Sequence, residues 1–374
     1  TTISAQQIRM MIEPDIDTAA PFPLRPRENP SFVGHESAVH SLHGAWHSRR
    51  LHHAWLLSGP RGIGKATLAF RFARFLLAAG PDRQSSGALL DLTPDDPVFH
   101  RVASGGHADL LTLERGTNEK TGQTRSEIVI DDVRRVSRLA SLTAGEGEWR
   151  IVIVDCAEDM NRNAANAILK HLEEPPQQTL FLLVSHSPAN LLPTIRSRCR
   201  ALTMRPLPDE IVNCLIAERL APGLNAEERS ILTALSEGSP GRALALAEQG
   251  GVTLFNSLLE ILDGLPNLDI QAVHSLGDTV ARKDSADAFR TVTALLLWWL
   301  NRLICDGARS KPPRATSDRE ELLNQRFLAN GDLEYWAQVW EKLSHLFARA
   351  EAVNLEPKQV ILNAFSALQQ AAAN

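Results

Sequence analysis

Three short apolar runs, Ala54 to Leu57, Ile151 to Val154 and Leu180 to Val184, stand among longer segments whose apolar residues recur at helical spacing. Runs this short without polar alternation fit strands buried on both faces, the pattern of a parallel sheet. A further strand is expected at Ala108 to Leu113. Helices are expected from about Glu36 to Ser48, and from Ala66 to Ala79, where Leu68, Phe72, Phe75 and Leu76 make a core face. Another is expected over Ser126 to Leu142, with acids early and arginines late as a helix dipole favours. The next covers Asn161 to Glu174, stopped by Pro175 and Pro176. The stretch 80–96 is polar and rich in turn formers, and Glu114 to Arg125 reads as an exposed loop or hairpin. This alternation predicts a parallel sheet covered by helices, with ligands at the carboxyl ends of its strands.

Beyond Arg205 the pattern turns helical throughout. Breaks at Pro206, Pro208 and Pro222 mark a small helical region reaching about Gly250. From Leu254 to Asn374 helix-period apolar residues follow (Phe255, Leu258, Leu259, Leu262; Val292, Leu295, Leu296, Trp299, Leu303), interrupted by the polar segment Asp306 to Glu320. Prolines at 14, 21, 23, 26 and 30 give residues 1–30 the composition of a flexible leader. The expected organisation is therefore 1–30 leader, 31–205 α/β domain, 206–252 small helical domain and 253–374 larger helical domain.

Composition changes this picture little. A length of 374 residues suits two or three domains, and 44% hydrophobic with 22% charged residues is ordinary for a soluble globular chain. The net charge of −5 supplies no global basic field, so any nucleic-acid contact is a local patch or is shared with other subunits. Arg134, Arg135 and Arg138 form one such candidate on a helix, the alternative being a solvated face. Four scattered cysteines without C-x-x-C spacing argue for a reducing compartment and against a cysteine-based zinc site. No signal-peptide pattern opens the chain, and Ala294 to Leu300 falls far short of the ~18–20 residues of a membrane span. A cytoplasmic location with no membrane partner is expected.

Candidate chemistry concentrates in WLLSGPRGIGKATLAFR, residues 55–71. Gly59, Gly64 and Lys65 match the first seven positions of G-x-x-x-x-G-K-[ST], with Gly62 inside the loop, where backbone N–H groups wrap a phosphate and the lysine neutralises it. The eighth position is Ala66, without the hydroxyl that ligates Mg²⁺. Thr67 offers a hydroxyl one residue on, but a helix turns about 100° per residue, which makes that geometry poor. The loop is thus expected to hold ATP or ADP while lacking a part needed to hydrolyse it. About ninety residues on, Asp155 closes a buried strand at the Walker B place, against the alternative of a strand-end cap. Cys156 follows, where an AAA+ ATPase carries the glutamate that activates water; a thiol with a reference pKa near 8.5 is not that base. Glu158 stands nearby and keeps a base within reach. His40, His43 and His47 share helical spacing, but no carboxylate or cysteine joins them, which favours solvation or packing over metal binding.

The run DCAEDMNRNAANAILKHLEEPPQQTLFLLVSHSPANLLPTIRSRCRAL resembles the clamp-loader family of AAA+ proteins. It carries a helix ending LEEPP, a sensor-1 strand FLLVSHSP, and the trio Ser197, Arg198, Cys199. ENPSFVGHESAV resembles the family's opening element, here Val33 to Glu36. RLHHAWLLSGPRGIGK is similar to the delta-prime branch of that family in bacterial DNA polymerase III. The likeness covers about residues 28–205 and becomes diffuse beyond.

This resemblance implies an α/β RecA-like P-loop (AAA+) domain followed by an all-α lid (206–252) and an all-α collar (253–374). It implies that Arg198 is an arginine finger acting in trans on a neighbour's ATP site, against the plainer reading of Arg196, Arg198 and Arg200 as a solvated strip. It places Ser185 at sensor 1. It also places Arg242, in GSPGRALALA, at a sensor-2 helix start, facing the nucleotide or solvent. Delta-prime proteins commonly carry a four-cysteine zinc module after the phosphate-loop helix; residues 78–108 hold no cysteine here, so no zinc is expected. The implied role is a stator that helps load a sliding clamp on primed DNA, in a hetero-pentamer with delta and gamma/tau subunits. The alternative is a gamma/tau-type motor ATPase, which needs a hydroxyl at 66 and a well-placed glutamate. Of the Trp298 and Trp299 pair, core packing and a partner contact are both open.

Overall fold

The computed structural model describes residues 25–78, 90–117, 122, 124–141, 148–282, 286–309, 315–330 and 333–373. The expected leader lies outside the described residues up to position 24, as does much of the polar stretch after Ala78. Contacts divide the chain into two compact units: one ends at Leu215 and takes in Gly238–Gly241, and the other comprises Ile216–Glu237 and Arg242–Asn374.

The first unit is built on five parallel strands, β1 (Ala54–Ser58), β2 (Leu110–Leu113), β3 (Arg150–Val154), β4 (Thr179–Ser185) and β5 (Arg200–Thr203), in the order β2-β3-β4-β1-β5. Every residue of β1 and β4 is buried, as the uninterrupted apolar runs require. Helices α1 (Glu36–His47), α2 (Lys65–Ala78), α3 (Pro97–Ala103), α4 (Ile130–Ser141), α5 (Arg162–Glu173), α6 (Pro193–Arg196) and α7 (Asp209–Leu215) complete the unit. Leu42 of α1 and Leu68 and Phe72 of α2 share one core with Leu57 and Leu182, whereas Val133 of α4, Ile168 and Leu172 of α5 and Ile195 of α6 share another with Val152 and Leu183. The sheet is thus covered on both faces, as the alternating pattern predicts.

Two local details differ from the pattern. The helix expected from Ser126 begins at Ile130, because Ile128 pairs with Met160 as an isolated parallel bridge and Asp132 Oδ2 accepts from Val129 N at 3.1 Å. Strand β5 was not expected. It is a four-residue edge with three exposed positions, so it has no apolar run to announce it. In the 114–125 segment, expected as a loop or hairpin, Thr117 and Thr124 pair as an isolated antiparallel bridge. Among the histidines of α1, His43 packs its ring 6.1 Å from Phe75 and 5.8 Å from Trp46, and His40 Nδ1 bonds the Glu36 carbonyl, both local packing and solvation roles.

The second unit is helical: α8 (Ala226–Ser236), α9 (Pro240–Glu248), whose first two residues belong to the first unit, α10 (Gly251–Asp263), α11 (Ile270–Val280), α12 (Ala286–Ala308), α13 (Asp318–Asn330), α14 (Leu333–Val353) and α15 (Pro357–Ala372). Asn225 and Glu228 form a capping box that starts α8. Helix α11 packs on α15, and α14 packs on both α12 and α15. Trp299 is core: its ring stands edge-on to Phe327 at 5.5 Å, and its Nε1 donates to the buried Asn324 Oδ1 at 3.0 Å. Trp298 is half-buried between Phe255 and the Arg302 guanidinium. Among the described residues no helix is long and apolar enough to cross a membrane.

Candidate functional site

Strand β1 ends at Ser58 and the chain turns through Gly59 to Gly64 into α2, whose first residue is Lys65. Gly59 (φ 146°) admits no side chain: a Cβ there would lie 2.3 Å from the Met204 carbonyl oxygen and 2.9 Å from Ile63 Cδ1. Five consecutive carbonyls of the loop meet donors of this chain. Lys65 Nζ donates to Gly59 O at 2.7 Å and Pro60 O at 2.5 Å, Ser239 Oγ to Arg61 O at 2.8 Å, Gly241 N to Gly62 O at 2.9 Å, and His35 Nε2 to Ile63 O at 2.9 Å. In a phosphate loop it is the N–H groups that face the anion, and carbonyls anchored elsewhere suit that arrangement. The Lys65 side chain is only 3% exposed, and burial pushes its ammonium down to about 8 despite the pull of Glu158, Cys156 and Asp155. An ammonium held by two loop carbonyls at the head of the helix stands where a bound phosphate would lie.

The register pairs Ser58 with Ser185 and Val154 with Leu183, so the carboxyl ends of β1, β3 and β4 stand together. Asp155 therefore enters the electrostatic neighbourhood of Lys65, and burial raises its carboxyl. Cys156 takes a left-handed backbone (φ 59°), with its Sγ 3.3 Å from His186 Nε2. Burial pushes the thiol up to about 12 and lowers the imidazole, so a neutral S–H faces a neutral ring. Glu158 Oε1 accepts from the backbone N–H of His186 at 2.7 Å and of Ser187 at 3.2 Å. Burial alone would raise this carboxyl; its hydrogen bonds to backbone N–H groups bring it below the usual range. Ser185 is fully buried at the end of β4.

A magnesium ion requires hard oxygen ligands in near-octahedral array. Asp155 offers a carboxylate at the end of β3, but Ala66 offers no hydroxyl and Cys156 only a protonated thiol, so the donor set lacks the loop hydroxyl with which an ATPase holds its metal. The phosphate-binding part fits. Thr67 is half-buried on α2, one residue beyond Ala66.

Arg198 and Arg242 each meet a glutamate of this chain. Arg198, just past α6, donates from Nη1 to Thr194 O at 3.0 Å and to Ser197 Oγ at 3.4 Å, and from Nη2 to Glu173 Oε1 at 2.8 Å. Its neighbours in the arginine strip part from it: Arg196 is exposed, and Arg200 on β5 lies over the Trp55 ring at 4.7 Å. Arg242 belongs to the second unit, where it pairs with Glu237. Arg134 pairs with Asp131 on its own helix at 2.6 Å.

His35, Ser239 and Gly241 are parts of the site that residue patterns did not single out. His35 was legible only as one of many histidines and as a member of the opening element. A φ of 59° at His35 and the contact of its ring with Phe32 turn it onto the loop.

A family model described as "DNA polymerase III, delta subunit" matches residues 34–208. The chain is 36% identical over 246 residues to DNA polymerase III subunit delta' of Pseudomonas aeruginosa, covering 66% of this chain and 68% of that protein. To the delta' subunit of Escherichia coli it is 33% identical over 55% of this chain and 57% of the relative. DNA polymerase III subunit gamma/tau of Mycobacterium tuberculosis is 28% identical over 73% of this chain, which spans 46% of that longer protein.

Proposed function

Because this chain belongs to the DNA polymerase III delta' family of clamp-loader subunits, we propose that it acts as a stator in loading a sliding clamp onto primed DNA. It sits in a cytoplasmic hetero-pentamer with delta and gamma/tau subunits, with residues 206–252 as lid and 253–374 as collar. It hydrolyses ATP weakly or not at all. Its loop, Gly59, Gly62, Gly64 and Lys65, holds ATP or ADP through phosphate, with Asp155 and Ser185 beside it and Arg242 at the lid. Arg198 reaches a neighbouring motor subunit's ATP site and stabilises charge developing on the transferring phosphoryl group.

The observation that carries this reading is the state of the strand ends around the loop. The position for a water-activating carboxylate is a protonated Cys156 thiol against His186, and the nearby Glu158 commits Oε1 to two backbone N–H groups. A phosphate loop without base or metal hydroxyl supports binding without turnover. The likeness to gamma/tau relatives favours a second reading, a self-sufficient motor ATPase. ATP turnover of the isolated protein separates the two: motor-sized turnover abolished by Lys65→Ala defeats the stator reading. In the complex reconstituted with gamma/tau motor subunits, Arg198→Ala is expected to lower DNA-stimulated ATPase by about 10³-fold, the lower end for arginine fingers. Unchanged ATPase defeats the finger.

A further inference from the structure

The last residue of α5, Glu173, holds the guanidinium of Arg198 at 2.8 Å across the junction with α6. The two residues are placed by one core. Leu172 immediately precedes Glu173, Ile195 lies three residues before Arg198, and both are buried in the same apolar cluster beneath the sheet. Pro175 and Pro176 stop the chain just after α5, and Pro193 opens α6, so both backbones are fixed where the side chains leave them. The Thr194 carbonyl completes the grip from the other side at 3.0 Å.

An ion pair whose partners are 35% and 49% exposed adds little to folding stability. Its effect falls instead on the arginine, a side chain with large rotamer entropy that must be ordered before it can act on a phosphate. Three hydrogen bonds to this chain hold the fork, and a guanidinium has five N–H donors, so two stay for an anion. A finger pre-set in this way loses less freedom when it meets its target.

Resting on the finger reading of Arg198, we propose that Glu173 is the positioning residue for that finger: it orients the guanidinium for the neighbour's phosphate and does not touch the phosphate itself.

The test uses the complex of the full chain with delta and gamma/tau subunits, reading DNA-stimulated ATPase. Glu173→Ala is expected to lower kcat about fivefold, the size of one exposed charged contact, with KM for ATP and the amount of complex assembled unchanged. Glu173→Gln keeps an acceptor and is expected to recover part of the loss. In an Arg198→Ala background, Glu173→Ala is expected to do nothing further, because its effect passes through the arginine. A rise in kcat, an unchanged kcat with Arg198→Ala strongly impaired, or an equal further loss in the Arg198→Ala background each overturns the positioning role. An Arg198→Ala variant with normal ATPase instead removes the finger reading beneath it, so the two failures are distinct.

Discussion

Gly241 and Gly62 touch backbone to backbone: Gly241 N donates to Gly62 O at 2.9 Å, and a Cβ on Gly241 would stand 2.8 Å from Gly62 Cα. Only a residue without a side chain lets the start of α9 lie on the phosphate loop. Gly241→Ala must push the two backbones apart and break that bond. The expected cost is about 1–3 kcal/mol, read as a lower thermal midpoint of the nucleotide-free protein, with Ala245→Gly on the same helix as a control for propensity.

Nucleotide affinity is expected to fall above about pH 8. The sign follows from Lys65: its ammonium titrates near 8 in the free protein, so below that pH it already carries the charge a phosphate needs. Above it, binding must take up a proton, and affinity drops by up to about tenfold per pH unit. Titrating a fluorescent ADP analogue from pH 6.5 to 9.5 checks this. Lys65→Arg, charged throughout, is expected to flatten the profile.

Arg74 is 2% exposed and its fork is committed to backbone carbonyls of the incoming chain, Nη1 to Arg27 O at 3.1 Å and Nη2 to Asn29 O at 2.8 Å, while it stacks over Phe99 at 4.3 Å. Arg74→Met keeps much of the packing and leaves two carbonyls without this donor. A loss of about 1–3 kcal/mol per buried group left unpaired is expected in urea unfolding, together with faster proteolytic cleavage around residues 25–30.

Asn324→Leu strands the buried Trp299 Nε1 without its acceptor. The expected loss is about 1–3 kcal/mol, seen as a lower urea midpoint for the helical unit with an unchanged slope.

The sheet and its helices were legible because full burial leaves no room for polar residues. Ile151 to Val154 and Leu180 to Val184 announce β3 and β4 by that constraint alone, and Asn161 announces α5 by accepting from Ala164 N. β5 was hidden for the converse reason, since an exposed edge tolerates Arg200 and Thr203 and needs no apolar run. The loop's glycines and lysine form a contiguous pattern, and so could be read. Its supports could not, because His35 and Ser239 are ordinary polar residues whose value lies in reaching particular carbonyls. The pairing of Cys156 with His186 likewise depends on two strand ends meeting, which no local spacing encodes.

The bond from Ser239 to Arg61 joins positions 178 residues apart, whereas His35 and Ile63 are separated by 28. Contacts closing over long separations form late, since the intervening chain must first be ordered. On a ribosome delivering residues in order, the loop can acquire its His35 and Lys65 supports early, but it must wait for residues 239–241 before its last carbonyls are served. A nascent chain that ends before residue 239 lacks the donors that serve the Arg61 and Gly62 carbonyls.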